Sequence, residues 1–515
     1  MSSAPTEESA LRGQEYNTLL CERFDPAQTL VGFYISVTNA SQDEWMNPLA
    51  LELRRRGYAV VGLLAREAVG AARLDGTELT LELARGSVAA LSRVQLFIVS
   101  DLEGGTDFPP RSRVLACAHG CVWCCGSTNF VSVVSHQAYF DGYLTSCPLT
   151  QSTREQVQAL WTGFVPPSAC KRPSPHFYIL ASGYPRSAVL YHKLAELEGR
   201  VERDAILYAP ISVDHHPSAG GCLLERYGKR IVRCLLDSFP HLRLIFRPYR
   251  TDLEHPQVQA LLAAFAHEPR FELDTDPQRA PAFSRAAVLV TDFSHIANSF
   301  AFTTLRPAVR FQPWEYVRNR RTLDTLPTGF CARTYQALIR AVREGLESPG
   351  PCREHIRQQR EQGMLPVESG LQDLAEQLDD FLRDRPRPEW ISIERNNPSL
   401  TLGEAGIVKT MLSLPRYWET IASVALRFFP ESLFLTAFSL HMGLRLIPDQ
   451  AVPARLLASA RRLLQEPPPI GDDPLLFRDV SPEIPRKLYG LAQLKAFREH
   501  DLDLAGMAEN LKTLL

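Results

Sequence analysis

The chain has 515 residues, 45% apolar and 22% charged, which describes an ordinary globular protein too long for one compact core; two or three domains are expected. Its formal net charge of -2 gives no global attraction to nucleic acid or to an anionic membrane. No apolar run reaches the roughly 20 residues of a membrane span; the nearest, Ile421 to Ile447, is broken by Arg427, Pro430, Glu431, His441 and Arg445.

Residues 1–27 form a polar segment whose opening, "MSSAPTEESALRGQEYN", carries no export signal, so the cysteines are expected to be reduced in a cytoplasmic protein. From Thr29 onward strand and helix signals alternate. "TLVGFYIS" reads as a buried strand, and "DEWMNPLALELRRRG" as a helix that ends in basic residues and a glycine. "YAVVGLLA", "VQLFIVSD", "RVLACAHG" and "FVSVVS" follow as further strands. The cluster Cys121, Cys124 and Cys125 contains a C-x-x-C but lacks a second pair at zinc spacing. It reads as small buried thiols, and no metal is expected.

A second series begins near residue 200 with "AILYAPI", a helix around Leu223–Phe239, "LRLIFRPY", a helix near Gln257–Ala266, "RFEL" and "AAVLVTDF". Continuous apolar strands separated by helix-length segments indicate parallel sheets covered on both faces. The expected fold class is therefore α/β, a pair of Rossmann-type doubly wound domains facing a cleft. The expected organisation is a first domain over 28–195, a second over 196–382, a Pro-rich linker over 383–399 and an α-helical module over 400–515. The module could be tetratricopeptide-like, although no clean repeat of about 34 residues is visible.

Candidate site residues lie where strands end, because ligands of such sheets bind beyond the carboxyl ends. "VTDFSHIA" puts Thr291, Asp292, Ser294 and His295 at a strand-to-helix junction, where a helix N-terminus attracts anions. Asp and Ser also cap helices in many folds, so the junction alone reads equally as an N-cap. Arg247 and Arg250 follow the neighbouring strand, placed to grip a phosphate or to form a surface ion pair. His119 and Gly120 follow a strand of the first domain; the histidine suits a general base and the glycine permits close approach of a ligand. His215 and His216 lie in a Ser- and Gly-rich loop after "ILYAPI", and His136 and Gln137 follow "FVSVVS".

In this order "AHG", "SGYPRSAVL", "ILYAPI", "IFRPY", "VLVTDFSHIANSFAFTTLRPAVRF" and "PWEY" resemble the CDP-glycerol glycerophosphotransferase family, polymerases and primases of teichoic acid and capsule with the GT-B fold. The resemblance covers roughly residues 90–345. It implies that His119 is the catalytic base, and that Thr291, Asp292 and Ser294 hold the donor pyrophosphate. Arg247 matches a basic residue on the donor side, and Gly183, Pro185 and Arg186 match a hinge-side Gly-Tyr-Pro-Arg segment. Glu315 and Tyr316 match an acidic-x-x-Tyr-like close of the core. The chain departs from the family at Tyr249, where a second histidine is usual, at Arg250 in place of a proline, and at His295 in place of a serine. Ala188 replaces an Asp, and "CVWCCGS" replaces the expected Thr-Pro-x-Lys after His119-Gly120.

The resemblance implies a cytoplasmic transferase, associated peripherally with the inner face of the cell membrane. It would move glycerol phosphate or a similar polyol phosphate from a CDP-activated donor to a glycan or lipid-linked acceptor. No cofactor is implied beyond that nucleotide-activated substrate, and a protein partner could bind the C-terminal helices. Two alternatives stay open: a nucleotide-sugar glycosyltransferase for capsule or O-antigen on the same fold, and a catalytically silent binding or scaffold protein.

Overall fold

A computed structural model of the chain describes residues 7–35, 43–66, 69, 73–99, 107–117, 140–146, 148–151, 154, 174–213, 223–292, 294–313, 328–368 and 370–394. The chain forms two compact units. The first comprises 1–125, 142–148 and 178–391 and contains nearly all of both sheets; the second comprises 126–141, 149–177 and 392–515. The helical module expected over 400–515 and the strand expected at "FVSVVS" lie outside the described residues.

A helix, α1 (Glu7–Arg23), precedes β1 (Leu30–Ile35) and is tied to the first sheet's loops, with Ser87 Oγ donating to the Ser9 carbonyl at 2.7 Å. There follow α2 (Asp43–Arg55), β2 (Ala59–Ala65), β3 (Leu79–Leu83), β4 (Leu96–Val99), β5 (Arg113–Cys117), β6 (Gly142–Thr145) and β7 (His176–Ala181). These strands line up as β14-β7-β6-β5-β4-β1-β2-β3, where β14 is Ile391–Glu394. Neighbours from β7 through β3 pair in parallel. Every residue of β1 and β2 is buried, which is why both read as unbroken apolar runs and not as an alternation.

The second sheet follows α3 (Pro185–Leu197). It is assembled from β8 (Ala205–Tyr208), α4 (Lys229–Ser238), β9 (Arg243–Phe246), α5 (Pro256–Ala264), β10 (Phe271–Leu273) and α6 (Ala280–Arg285). Then come β11 (Ala286–Thr291), α7 (Ile296–Thr304), β12 (Ala308–Phe311) and β13 (Gly329–Ala332). The strand order is β10-β9-β8-β11-β12-β13, all parallel. The fold is thus the GT-B-like pair of Rossmann-type sheets expected from the sequence. In each sheet the order reverses beside its first strand: β1 lies between β2 and β4, and β8 between β9 and β11. Crevices for ligands open beyond the carboxyl ends at such reversals.

The helices α8 (Tyr335–Glu347), α9 (Pro349–Gly363) and α10 (Gly370–Leu382) follow the second sheet, and α10 returns to the first. Leu374, Leu378 and Phe381 join the same buried cluster as Val31, Leu115 and Tyr178. Phe381 meets the Tyr178 ring edge-on at 6.2 Å, and Trp390 lies 5.6 Å from the same ring. Burying one such side chain contributes about 1.5–3 kcal/mol, so this return anchors the second half of the unit to the first.

Strands β3, β6, β7, β12, β13 and β14 go beyond those expected from the sequence. Most are only four residues long, and β3 and β12 carry Glu82 and Arg310 within the strand, which disguises them as loops.

Two predictions concern stability. A Cβ at Gly142 would meet Phe381 Cε2 at 2.7 Å and Leu115 Cδ1 at 3.0 Å, both in the packed core. Gly142→Ala is therefore expected to cost about 1–3 kcal/mol, read as a lower urea midpoint at unchanged slope. Arg285 contacts Asp204 at 2.8 Å and Glu272 at 2.7 Å, and its hydrogen bonds hold both carboxyls below their ordinary range. Carboxyls with depressed folded-state values contribute stability above the unfolded range and lose it as pH falls through the folded values. Arg285→Met is expected to cost about 1 kcal/mol at neutral pH, after allowance for solvent screening. That difference should shrink in urea unfolding as pH falls below the ordinary carboxylate range.

Candidate functional site

The expected strand–helix junction is present, and its polar residues are buried. Thr291 is 1% exposed, Asp292 3% and Ser294 4%, while His295 is exposed. Thr291 Oγ1 donates to the Ala209 carbonyl at 2.6 Å, and Asp292 Oδ1 accepts from Ile211 N–H at 2.9 Å. Both side chains therefore fasten the loop leaving β8 to the end of β11, at the strand-order reversal. Ser294 Oγ accepts from Ile296 N–H at 3.3 Å, in the first turn of α7. Sequence reasoning located this turn, but its Thr and Asp are committed to building it.

Arg310, on β12, enters this place without having been singled out from the sequence. One of its Nη atoms donates to Asn298 Oδ1 on α7 at 3.1 Å. Burial lowers its basicity, and Asp292 is the first of the neighbours that restore it. Arg310 thus supplies a cation beside the β11–α7 turn. The signal that could have found it was an arginine inside the otherwise apolar run "AVRF".

Arg247, Tyr249 and Arg250 follow β9 as expected. Arg247 pairs with Asp274 and donates to the Asp276 and Gln278 carbonyls at 2.9 and 3.4 Å, bracing the loop after β10. Arg250 stands 3.9 Å from Asp43 at the start of α2. Burial pushes the Tyr249 phenol above its ordinary value, against the opposing influence of Arg279 and Arg186. Asp252 accepts from Ser212 Oγ at 3.0 Å and from Val213 N–H at 2.7 Å, fixing the β8 loop a second time.

The Gly-Tyr-Pro-Arg stretch turns β7 into α3. Gly183 takes a φ of 75°, a left-handed conformation open to glycine, and Pro185 opens the helix. Arg186 then lies buried in the first turn of α3, with Nε 3.9 Å from Glu44 Oε2. The same carboxylate oxygen accepts from Arg279 Nη1 at 2.9 Å. Glu44 belongs to α2, and Arg279 to the loop between β10 and α6. Carboxyl ends of both sheets therefore converge here on one buried ion cluster. Burial holds Arg279 below the usual arginine value, with Arg186 and Arg247 adding repulsion. Asp43 is raised by burial, opposed first by a hydrogen bond from the Arg73 backbone.

The structure thus places Gly183 and Arg186 beyond the end of β7, Arg247, Tyr249 and Arg250 beyond β9, and Thr291, Asp292 and Ser294 at the end of β11, with Tyr249 under the influence of both Arg186 and Asp292. His119, Gly120, Cys121, Cys124, Cys125, His136, Gln137, His215, His216, Glu315 and Tyr316 lie outside the described residues. Among the described residues no group of three or more His, Cys, Asp or Glu side chains could hold a metal ion. Among the same residues no helix is long and apolar enough to cross a membrane.

No family model matches the chain, and a search of curated proteins finds no match. Among solved structures, the chain is similar to the wall teichoic acid polymerase TagF at a TM-score of 0.48 and 14% identity, over 73% of this chain and 95% of that one. It is also similar to the UDP-GlcNAc 2-epimerase from Neisseria meningitidis bound to UDP-GlcNAc, at 0.45 and 10% identity over 69% and 100%. A third is the S. aureus MnaA–UDP co-structure, at 0.45 and 10% identity over 70% and 98%. At these identities the likeness is one of fold alone.

Proposed function

We propose that the chain is a transferase of cell-surface glycan biosynthesis that takes a nucleotide-activated donor. The donor best supported is CDP-glycerol, and the group moved is glycerol phosphate, delivered to a glycan or lipid-linked acceptor. The observation that carries this reading is the β11–α7 turn. "LVTDFS" is, with "SGYPR", where the resemblance to the glycerophosphotransferases is strongest. Here it forms a buried turn pinned to β8, with Ser294 at the helix start and the Arg310 cation beside Asp292.

In this mechanism an acceptor hydroxyl oxygen attacks the phosphorus that bears glycerol. The new P–O bond forms as the bond to the bridging diphosphate oxygen breaks, and CMP leaves. His119 takes the hydroxyl proton. Ser294, the start of α7 and Arg310 hold the phosphate charge that accumulates on the leaving nucleotide. Thr291 and Asp292 keep the turn in shape. The contribution of the protein is then positioning and charge stabilisation.

A second reading, a nucleotide-sugar glycosyltransferase on the same fold, is favoured by Tyr249. A phenol raised by burial stays protonated at neutral pH and cannot act as the histidine that the glycerophosphotransferases carry there.

Thermal melting of the full chain with CDP-glycerol, CDP, CMP, UDP and GDP tests both. CDP-glycerol and CDP are expected to raise Tm by about 2–4 °C at a hundredfold excess over Kd. That rise should fall by more than half in Ser294→Ala and Arg310→Met. Stabilisation by UDP or GDP and not by cytidine nucleotides would move the assignment to the second reading. A melting temperature indifferent to every nucleotide would overturn both and leave a binding protein. His119→Ala should abolish turnover of CDP-glycerol while leaving its Kd within about twofold.

A further inference from the structure

Arg186 is 4% exposed, yet its Nε and Nη2 make no hydrogen bond among the described residues. The carboxylate it faces, Glu44, stands 3.9 Å away and is already engaged by Arg279 at 2.9 Å. Two buried guanidiniums therefore share one carboxylate. Arg247 is matched by Asp274 and Arg250 by Asp43, which also faces Arg186, but none of these supplies the missing hydrogen bonds. Arg186 also sits in the first turn of α3, a helix of 13 residues with no acidic side chain in that turn. A cation at that end opposes the helix dipole.

Buried N–H groups left without an acceptor destabilise a native fold, and a bound ion is one of the few things that account for them there. A guanidinium offers two parallel N–H donors that fit an oxyanion edge, and a phosphate matches them bidentately. The face of Tyr184 lies 5.9 Å from the Arg186 guanidinium carbon and helps to fix its plane.

We infer that Arg186 and Arg279 form a buried oxyanion site for a phosphate group, distinct from the β11–α7 turn. Arg186 supplies the free Nε and Nη2 donors, and Arg279 keeps Glu44 and lends its charge. Because α2 and α3 supply Glu44 and Arg186 while the β10–α6 loop supplies Arg279, an anion bound here closes the junction of the two sheets. That the anion is a phosphate of a reacting substrate rests on the function proposed above; the existence of the site does not. Its carrier is either the donor nucleotide or the group transferred and accepted.

Calorimetric titration of the full chain with inorganic phosphate at constant ionic strength tests the site. The wild-type protein should bind with Kd of about 1 mM, and Arg186→Gln should weaken this by about tenfold or more. Glu44→Gln removes the competing anion and should tighten phosphate binding severalfold, a gain that a purely structural ion pair would not give. That arm holds even if the Arg186 variant misfolds. Competition between CMP and phosphate would assign the anion to the nucleotide; simultaneous binding would assign it to the transferred or accepting group. Phosphate affinity unchanged in Arg186→Gln, or no phosphate binding by the wild type, would overturn the inference whatever the nucleotides do. Arg186-dependent phosphate binding without any nucleotide response would keep the site and discard the proposed function.

Discussion

The buried carboxylate of Glu44 is the interaction on which the junction of the two sheets depends. Parallel strands need crossovers, so every strand of a sheet delivers its carboxyl end to the same edge. Here the ends of β1 and β7 from the first sheet meet those of β9, β10 and β11 from the second. Polar loops brought together in this way lose water and must satisfy one another. Glu44 does this twice, holding the Arg279 guanidinium and its backbone N–H. Arg247 with Asp274 and Arg250 with Asp43 complete the set. Without Glu44 the Arg186 and Arg279 guanidiniums would lose the carboxylate they share, so this acid is fixed by electrostatics before any chemistry is considered.

The helical return reinforces the same junction from below. Phe381 and Trp390 settle on Tyr178 of β7, the strand whose far end turns through Gly183 into Arg186. A rigid β7 is what allows a single left-handed glycine to aim a buried arginine. Apolar packing at one end of the strand thus sets the position of a charge at the other.

What the sequence disclosed follows the same physics. Strands β1, β2, β4, β8, β9 and β11 were legible because burial on both faces leaves an unbroken apolar run. β12 was not, because Arg310 interrupts it. β7, "HFYILA", is as apolar as the legible strands, but the proline-rich "KRPSP" before it masks its start. The position of Thr291, Asp292 and Ser294 was legible, since small polar residues at the end of an apolar run mark a strand–helix turn. Their division of labour was not. A motif shows which residues stand together but not which hydrogen bonds they have already spent. Glu44 and Arg279 are 235 residues apart, and neither belongs to a local pattern, so their meeting is a property of topology alone.

Tyr249 constrains the chemistry further. It follows β9 among Arg279, Arg186, Asp252 and Asp292, and burial keeps its phenol protonated well beyond neutral pH. A group that does not change charge in the working range can donate a hydrogen bond but cannot shuttle a proton. The donor side of the junction is then a fixed arrangement of guanidiniums, backbone dipoles and neutral hydroxyls. In the proposed transfer the proton is then left to the acceptor side, to His119. Phosphoryl transfer tolerates that separation, because its transition state asks mainly for charge held in place around the phosphate oxygens. Under the proposed function, a neutral phenol in place of a titrating histidine therefore leaves transfer possible and shifts its burden onto the arginines.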